Sequence, residues 1–176
     1  MKKVLLLATL FLGLFVVGCK EIDKLLTFYF DDSQNIKIAS SFPVGVAAPL
    51  SPVAVPTQSS SKFKNNNTRA DLVKDVSLDR LALTIADPNS ENFDFLRSIE
   101  IYISTGNGND QILLASLSNV PKGVQSIALT PTKAKLDSYI KADSYTLTTK
   151  ATIAKAITRD ITIRADSRFK VTADPL

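Results

Sequence analysis

The chain has 176 residues, with 21 Lys and Arg against 17 Asp and Glu, no histidine and a single cysteine. Without imidazole, the Ser-His-Asp and Cys-His catalytic arrangements are excluded, and zinc, haem and most transition-metal sites lose their usual ligands. One cysteine cannot close a disulfide within the chain, so the fold must rest on its core.

Lys2 and Lys3 open the sequence, an apolar and small-residue run follows over 4–17, and Gly18 and Cys19 end it. This is the three-part layout of a secretory signal. The run is short of the ~20 residues a membrane span needs, and the charged residues Lys20, Glu21, Asp23 and Lys24 follow it. Val16-Val17-Gly18-Cys19 resembles the lipobox of bacterial lipoproteins, in which aliphatic and small residues precede an obligatory cysteine. The resemblance implies that the Cys19 thiol receives a diacylglyceryl group and that a peptidase recognising Val16, Val17 and Gly18 cuts just before it. Residues 1–18 would then be a cleaved signal peptide, 19–24 a lipidated tether and 25–176 a single β-sandwich domain.

Two or more acyl chains hold a protein on a membrane without spanning it. Lys20 stands where an inner-membrane retention signal would have Asp, which favours the outer membrane. Cys19-Lys20-Glu21 also resembles the surface-export signal of Bacteroidota lipoproteins, with Ile22 interrupting the acidic pair. Loss of residues 1–18 leaves nineteen basic against seventeen acidic side chains. So balanced a surface gives no reason to expect nucleic acid as a partner.

Beyond the tether, 25–30 (LLTFYF) has strand composition, Asp31-Asp32-Ser33-Gln34-Asn35 reads as a turn, and 36–39 alternates as a second strand of a hairpin. The Pro/Ser-rich stretch 43–61 holds Pro43, Pro49, Pro52 and Pro56. It is expected to run extended along an edge, partly packed through its valines. Asn65 to Thr68 is a polar turn. Val76, Leu78, Leu81, Leu83 and Ile85 change phase at Asp79-Arg80, which predicts a β-bulge.

Asp87-Pro88-Asn89-Ser90 closes that strand, and Ile99, Ile101 and Ile103 form the next apolar face. Asn107-Gly108 predicts a hairpin returning through 112–116. Further strands are expected over 124–129 and 145–153, bridged by a helical turn with Leu136, Tyr139 and Ile140 packing down. At the C-terminus Ile157, Ile161, Ile163, Ala165, Phe169 and Val171 share one face, while residues of alternating charge share the other. About eight short strands with turns between them predict an all-β, immunoglobulin-like antiparallel sandwich.

Candidate sites are few. Ser59-Ser60-Ser61-Lys62 has the S-x-x-K spacing of Ser-Lys hydrolases, but neither S-D-N nor K-T-G follows, and the stretch reads as a solvated serine tract. Asp87, Asn89, Glu91 and Asp94 place oxygen ligands at spacings a calcium loop could use, although turn chemistry accounts for them as well. Asn107, Asn109 and Asp110 are a weaker version of the same pattern. Asp31 and Asp32 would point to opposite faces of a strand and so cannot share a reacting bond there. Tyr29, Tyr102, Tyr139 and Tyr145 would stack sugars only if the fold gathered them.

From 76 to 171 the chain resembles the late-embryogenesis-abundant type 2 (water-stress) β-sandwich domain. The likeness rests on Leu81-Ala82-Leu83-Thr84-Ile85-Ala86-Asp87-Pro88-Asn89, with Asp where that family has Asn, and on the hairpin 99–116. It spans roughly half the chain and implies a sandwich fold and no active site. The resulting expectation is an outer-membrane lipoprotein that serves as a non-catalytic structural or binding module, with no cofactor beyond the lipid on Cys19. It would meet the membrane through that lipid and an unidentified protein or glycan through the domain. An adhesion or glycan-binding module is the alternative reading, and a hydrolase built on Asp87, Glu91 and Asp94 a remote one.

Overall fold

The computed structural model describes residues 27–106 and 109–174. Its strands are β1 (Thr27–Ile38), β2 (Ala47–Pro49), β3 (Val53–Pro56), β4 (Val73–Asp87), β5 (Leu96–Ser104), β6 (Ile112–Leu117), β7 (Ser126–Pro131), β8 (Ser144–Ile153) and β9 (Ile161–Ala173). Two short helices, α1 (Ser59–Asn65) and α2 (Asp137–Lys141), lie between them. The fold is all-β, and the ladders between these strands are antiparallel.

Hydrogen-bonded neighbours run in the order β1-β9-β4-β7-β6-β5-β8-β2, with β3 also on β8. The path curls, because β6 meets β7 through only two residue pairs, Ala115 with Pro131 and Ser116 with Thr130. Ile36, Leu83, Ile163 and Phe169 from one half share a single core with Ile99, Ile101, Leu147 and Ile153 from the other. Period-2 apolar patterning produces this arrangement. In β9 Ile161, Ile163, Ala165, Phe169 and Val171 are buried, while Arg164 and Lys170 between them are exposed.

The phase change in β4 is a register shift between Leu78 and Arg80, which keeps both Leu78 and Leu81 on the buried face. Residues 43–61 behave as an edge: β2 and β3 pair with β8, Leu50 and Val55 are buried, and Val44 and Val46 are exposed. The predicted helical turn is α2, with Leu136, Tyr139 and Ile140 buried.

Two expectations are corrected. The expected hairpin is absent from the described part of that stretch, since residues 27–38 form one strand with twelve consecutive partners on β9. Asp32 and Gln34 continue the inward-facing series of Phe28, Phe30, Ile36 and Ile38, and the inward face at their level meets α1 and Tyr145 instead of apolar core. The serine tract, in turn, is not a loop. Its segment coils into α1 because Phe63 is fully buried, with its ring 6.3 Å from that of Phe28. Serine and asparagine are weak helix formers, and here tertiary packing outweighs them.

Candidate functional site

On the outer face of the sheet, β4, β9 and the loop 131–135 enclose a groove of about 460 Å³. The loop is held firmly. Thr132 donates its hydroxyl to Leu113 O at 2.7 Å and its N–H to Leu114 O at 2.9 Å, while Leu136 N–H donates to Val76 O at 2.8 Å. Lys133 and Lys135 project from the loop, Lys170 from β9, and Asp75, Ser77 and Asp79 from β4. Among the described residues none of these three lysines has an ion-pair partner, whereas Asp79 lies 3.8 Å from Arg168 Nε.

Register lengthens the groove into a row. Tyr29 on β1 stands opposite Lys170, and Lys170 stands opposite Ser77 on β4, so three side chains cross one face side by side. Tyr29 is 44% exposed, and the Arg168 guanidinium sits 4.6 Å from its ring centroid. Chemically, the site offers cations, a hydroxyl, carboxylate acceptors and one aromatic face.

A second polar cluster lies at the seam between β1 and α1. Asp32 Oδ2 is 3.4 Å from Lys62 Nζ and accepts from the Tyr145 hydroxyl at 3.3 Å, while Gln34 Nε2 donates to Asp32 Oδ1 at 3.3 Å. Phe30 lies 4.5 Å beneath the same ammonium. Burial, together with the negative charge and hydrogen bond of Asp32, pushes the Tyr145 phenol far above its ordinary pKa. Ser59 is buried at the first turn of α1 with Lys62 one turn on, so the S-x-x-K pair does lie on a helix. Lys62 is nonetheless engaged as the cation of an ion pair, and the cluster reads as a tie between α1 and β1.

The remaining sequence candidates separate. Among the described residues no three His, Cys, Asp or Glu side chains gather to hold a metal ion. Asp94 Oδ1 accepts from the Gly123 N–H at 2.7 Å, and the carbonyls of Asn89 and Glu91 accept from Gln125 Nε2, so this stretch is tied into its turn. Asp87 ends β4, exposed. Asp110 Oδ1 accepts from Thr105 N, and Asn107 lies outside the described residues. The tyrosines do not cluster. Tyr139 and Tyr145 are buried, Tyr102 donates to Glu100 at 2.7 Å, and Tyr29 stands on the outer face.

Cys19 and the segment Val16, Val17 and Gly18 also lie outside the described residues. No helix among the described residues is long and apolar enough to cross a membrane. The groove itself escaped the sequence reading because its lysines come from a loop and a strand far apart in the chain. The alternating charges of β9 were the only trace of it.

No protein-family model and no curated protein sequence matches the chain. Among solved structures, it is similar to one of Desmodium yellow mottle tymovirus, with a TM-score of 0.30 and 16% identity over 85% of this chain and 84% of that one. A structure of turnip yellow mosaic virus matches with a TM-score of 0.28 and 14% identity, over 85% of this chain and 96% of that one. Likenesses this slight carry no argument about function.

Proposed function

We propose that this protein is a bacterial lipoprotein of the outer membrane, anchored through an acylated Cys19, whose immunoglobulin-like sandwich serves as a non-catalytic binding or structural module. The observation that carries the reading is the Val16-Val17-Gly18-Cys19 motif at the end of an apolar run that two lysines precede. The first strand begins eight residues after Cys19, a tether short enough to keep the domain close to the bilayer surface. The groove between β4, β9 and 131–135 is the binding surface of this reading, since its lysines have no ion-pair partners among the described residues.

Fractionation of cells expressing the intact chain tests the anchor. Wild type is expected in the membrane with a diacylglyceryl mass on Cys19, and Cys19→Ala is expected to lose the modification and leave the membrane. Unchanged co-sedimentation of Cys19→Ala would overturn it.

A glycan-binding role is the second reading, favoured by one observation: exposed Tyr29 lies in the same cross-strand row as Lys170 and Ser77 of the groove. An aromatic face beside hydroxyl and charged groups suits a sugar ring. Loss of saccharide retention by Tyr29→Ala, with folding intact, would separate this role from a purely structural one.

A further inference from the structure

A second recess, of about 270 Å³, is lined by Lys64, Asn67, Thr68, Arg69 and Leu72, where the chain leaves α1 and enters β4. Its place in the fold gives it meaning. Thr27, the start of β1, pairs with Thr172 of β9, and Asp75 of β4 pairs with the same Thr172 from the other side. Asp174 N–H donates to Leu72 O, and the Phe28 ring touches that of Phe63 in α1. The recess therefore lies at the end of the sandwich where the chain arrives from Cys19. Eight residue steps separate Cys19 from Thr27, a span of at most about 29 Å when fully extended.

The chemistry of the recess suits an anion. Lys64 has no ion-pair partner among the described residues. Arg69 uses Nε on Asp71 at 3.0 Å and keeps its other guanidinium donors, with both side chains well exposed. Of the carboxylates at this end, Asp174 is paired with Lys74, and Asp75 lies one strand position further along β4 from Lys74. The Thr68 hydroxyl is buried without a hydrogen-bond partner, in a residue that lines the recess, so a donor is left unsatisfied at its wall. Two carbonyls at the end of α1 are already satisfied, Phe63 O by the N–H groups of Asn66 and Thr68, and Lys64 O by that of Asn67, so these two do not repel a ligand as bare acceptors.

We infer that this recess binds the phosphate of an anionic phospholipid headgroup, in the leaflet that holds the protein's own acyl chains. Lys64 and Arg69 supply charge, and Thr68 supplies a hydroxyl donor. The inference rests on the Cys19 anchor. It adds an orientation: β4 runs away from the bilayer, and the groove opens sideways above it. A cation beside an anionic surface contributes about fivefold to binding.

The test uses the mature acylated protein in bilayer discs of phosphatidylcholine alone or with phosphatidylglycerol, reading amine acetylation of Lys64 by mass spectrometry. Lys64 is expected to react about fivefold more slowly in the anionic discs, with Lys122 at the far end of β4 unchanged. Thr68→Val and Arg69→Gln should each return the Lys64 rate toward that in neutral discs. Equal Lys64 rates in the two discs would overturn the inference while leaving the anchor intact. Protection by inorganic phosphate in neutral discs, equal to that given by anionic lipid, would overturn the lipid assignment in favour of a free phosphate site. Failure of the protein to float with either disc would overturn the anchor, and the inference with it.

Discussion

Lys62 Nζ lies 3.4 Å from Asp32 Oδ2, joining a helix to a strand that is thirty residues earlier in the chain. The two side chains are only 20% and 15% exposed, so neither charge is left to water. Removing one partner strands the other in a partly desolvated site, which costs more than the pair itself contributes.

Lys62→Met is therefore expected to lower unfolding free energy by about 1–2 kcal/mol, below the full cost of a broken buried pair because of the residual exposure. The double variant Asp32→Asn with Lys62→Met should recover part of that loss. Urea unfolding of the three proteins measures both values, and an additive double variant would show that the two groups do not interact.

Asp166 provides the pH prediction. Its carboxylate accepts from the Ser33 hydroxyl at 2.6 Å and from Arg164 Nε at 2.9 Å, and these contacts hold its pKa below the ordinary carboxylate range. A depressed pKa means stability that is fully present above the unfolded value, about 4, and is lost as pH falls through the lower folded value. Ser33→Ala should narrow the urea-midpoint gap to wild type as pH drops below about 4. A gap that stays constant down to acid pH would remove Asp166 as its cause.

Phe169 sits at the centre of an aromatic group, fully buried, with its ring centroid 5.2 Å from that of Phe30 and 6.4 Å from that of Tyr145. Phe169→Ala is expected to cost about 3–5 kcal/mol, through lost transfer energy and an unfilled cavity. Calorimetric unfolding would register the loss, and a cost under about 1 kcal/mol would mean that the surroundings collapse into the space.

The bulge in β4 predicts opposite outcomes for two deletions. Removing Asp79 deletes the extra residue between Leu78 and Arg80 and removes the register shift of the β4–β9 ladder at that point, so the fold should survive with a cost of about 1–2 kcal/mol. Removing Ala82 instead turns Leu83 and Ile85 toward solvent or drags Leu81 out of the core, and the protein should fail to fold. Circular dichroism separates the two.

Much of the fold was legible because period-2 burial dictates it. The run Ile161, Ile163, Ala165, Phe169 and Val171, the isoleucines of β5 and the phase change at Asp79 each correspond to an observed face or bulge. What misled was local chemistry overridden by distant contacts. Asp31-Asp32-Ser33-Gln34-Asn35 has turn composition, yet Phe28, Phe30, Asp32, Gln34, Ile36 and Ile38 keep an unbroken spacing of two, and the inward carboxylate is matched by Lys62 and Tyr145. The helix over 59–65 was invisible because its stability comes from Phe63 packing, not from its own residues. The groove was equally hidden, since three lysines from two elements carry no spacing signal.

The twelve-pair ladder between β1 and β9 also bears on mechanics. A tether pulling at Thr27 draws β1 along its own axis, so the ladder's hydrogen bonds are loaded together in shear and do not peel one after another. If the chain is held through its N-terminal end as proposed, the domain should resist being dragged open when something gripped at its far end moves.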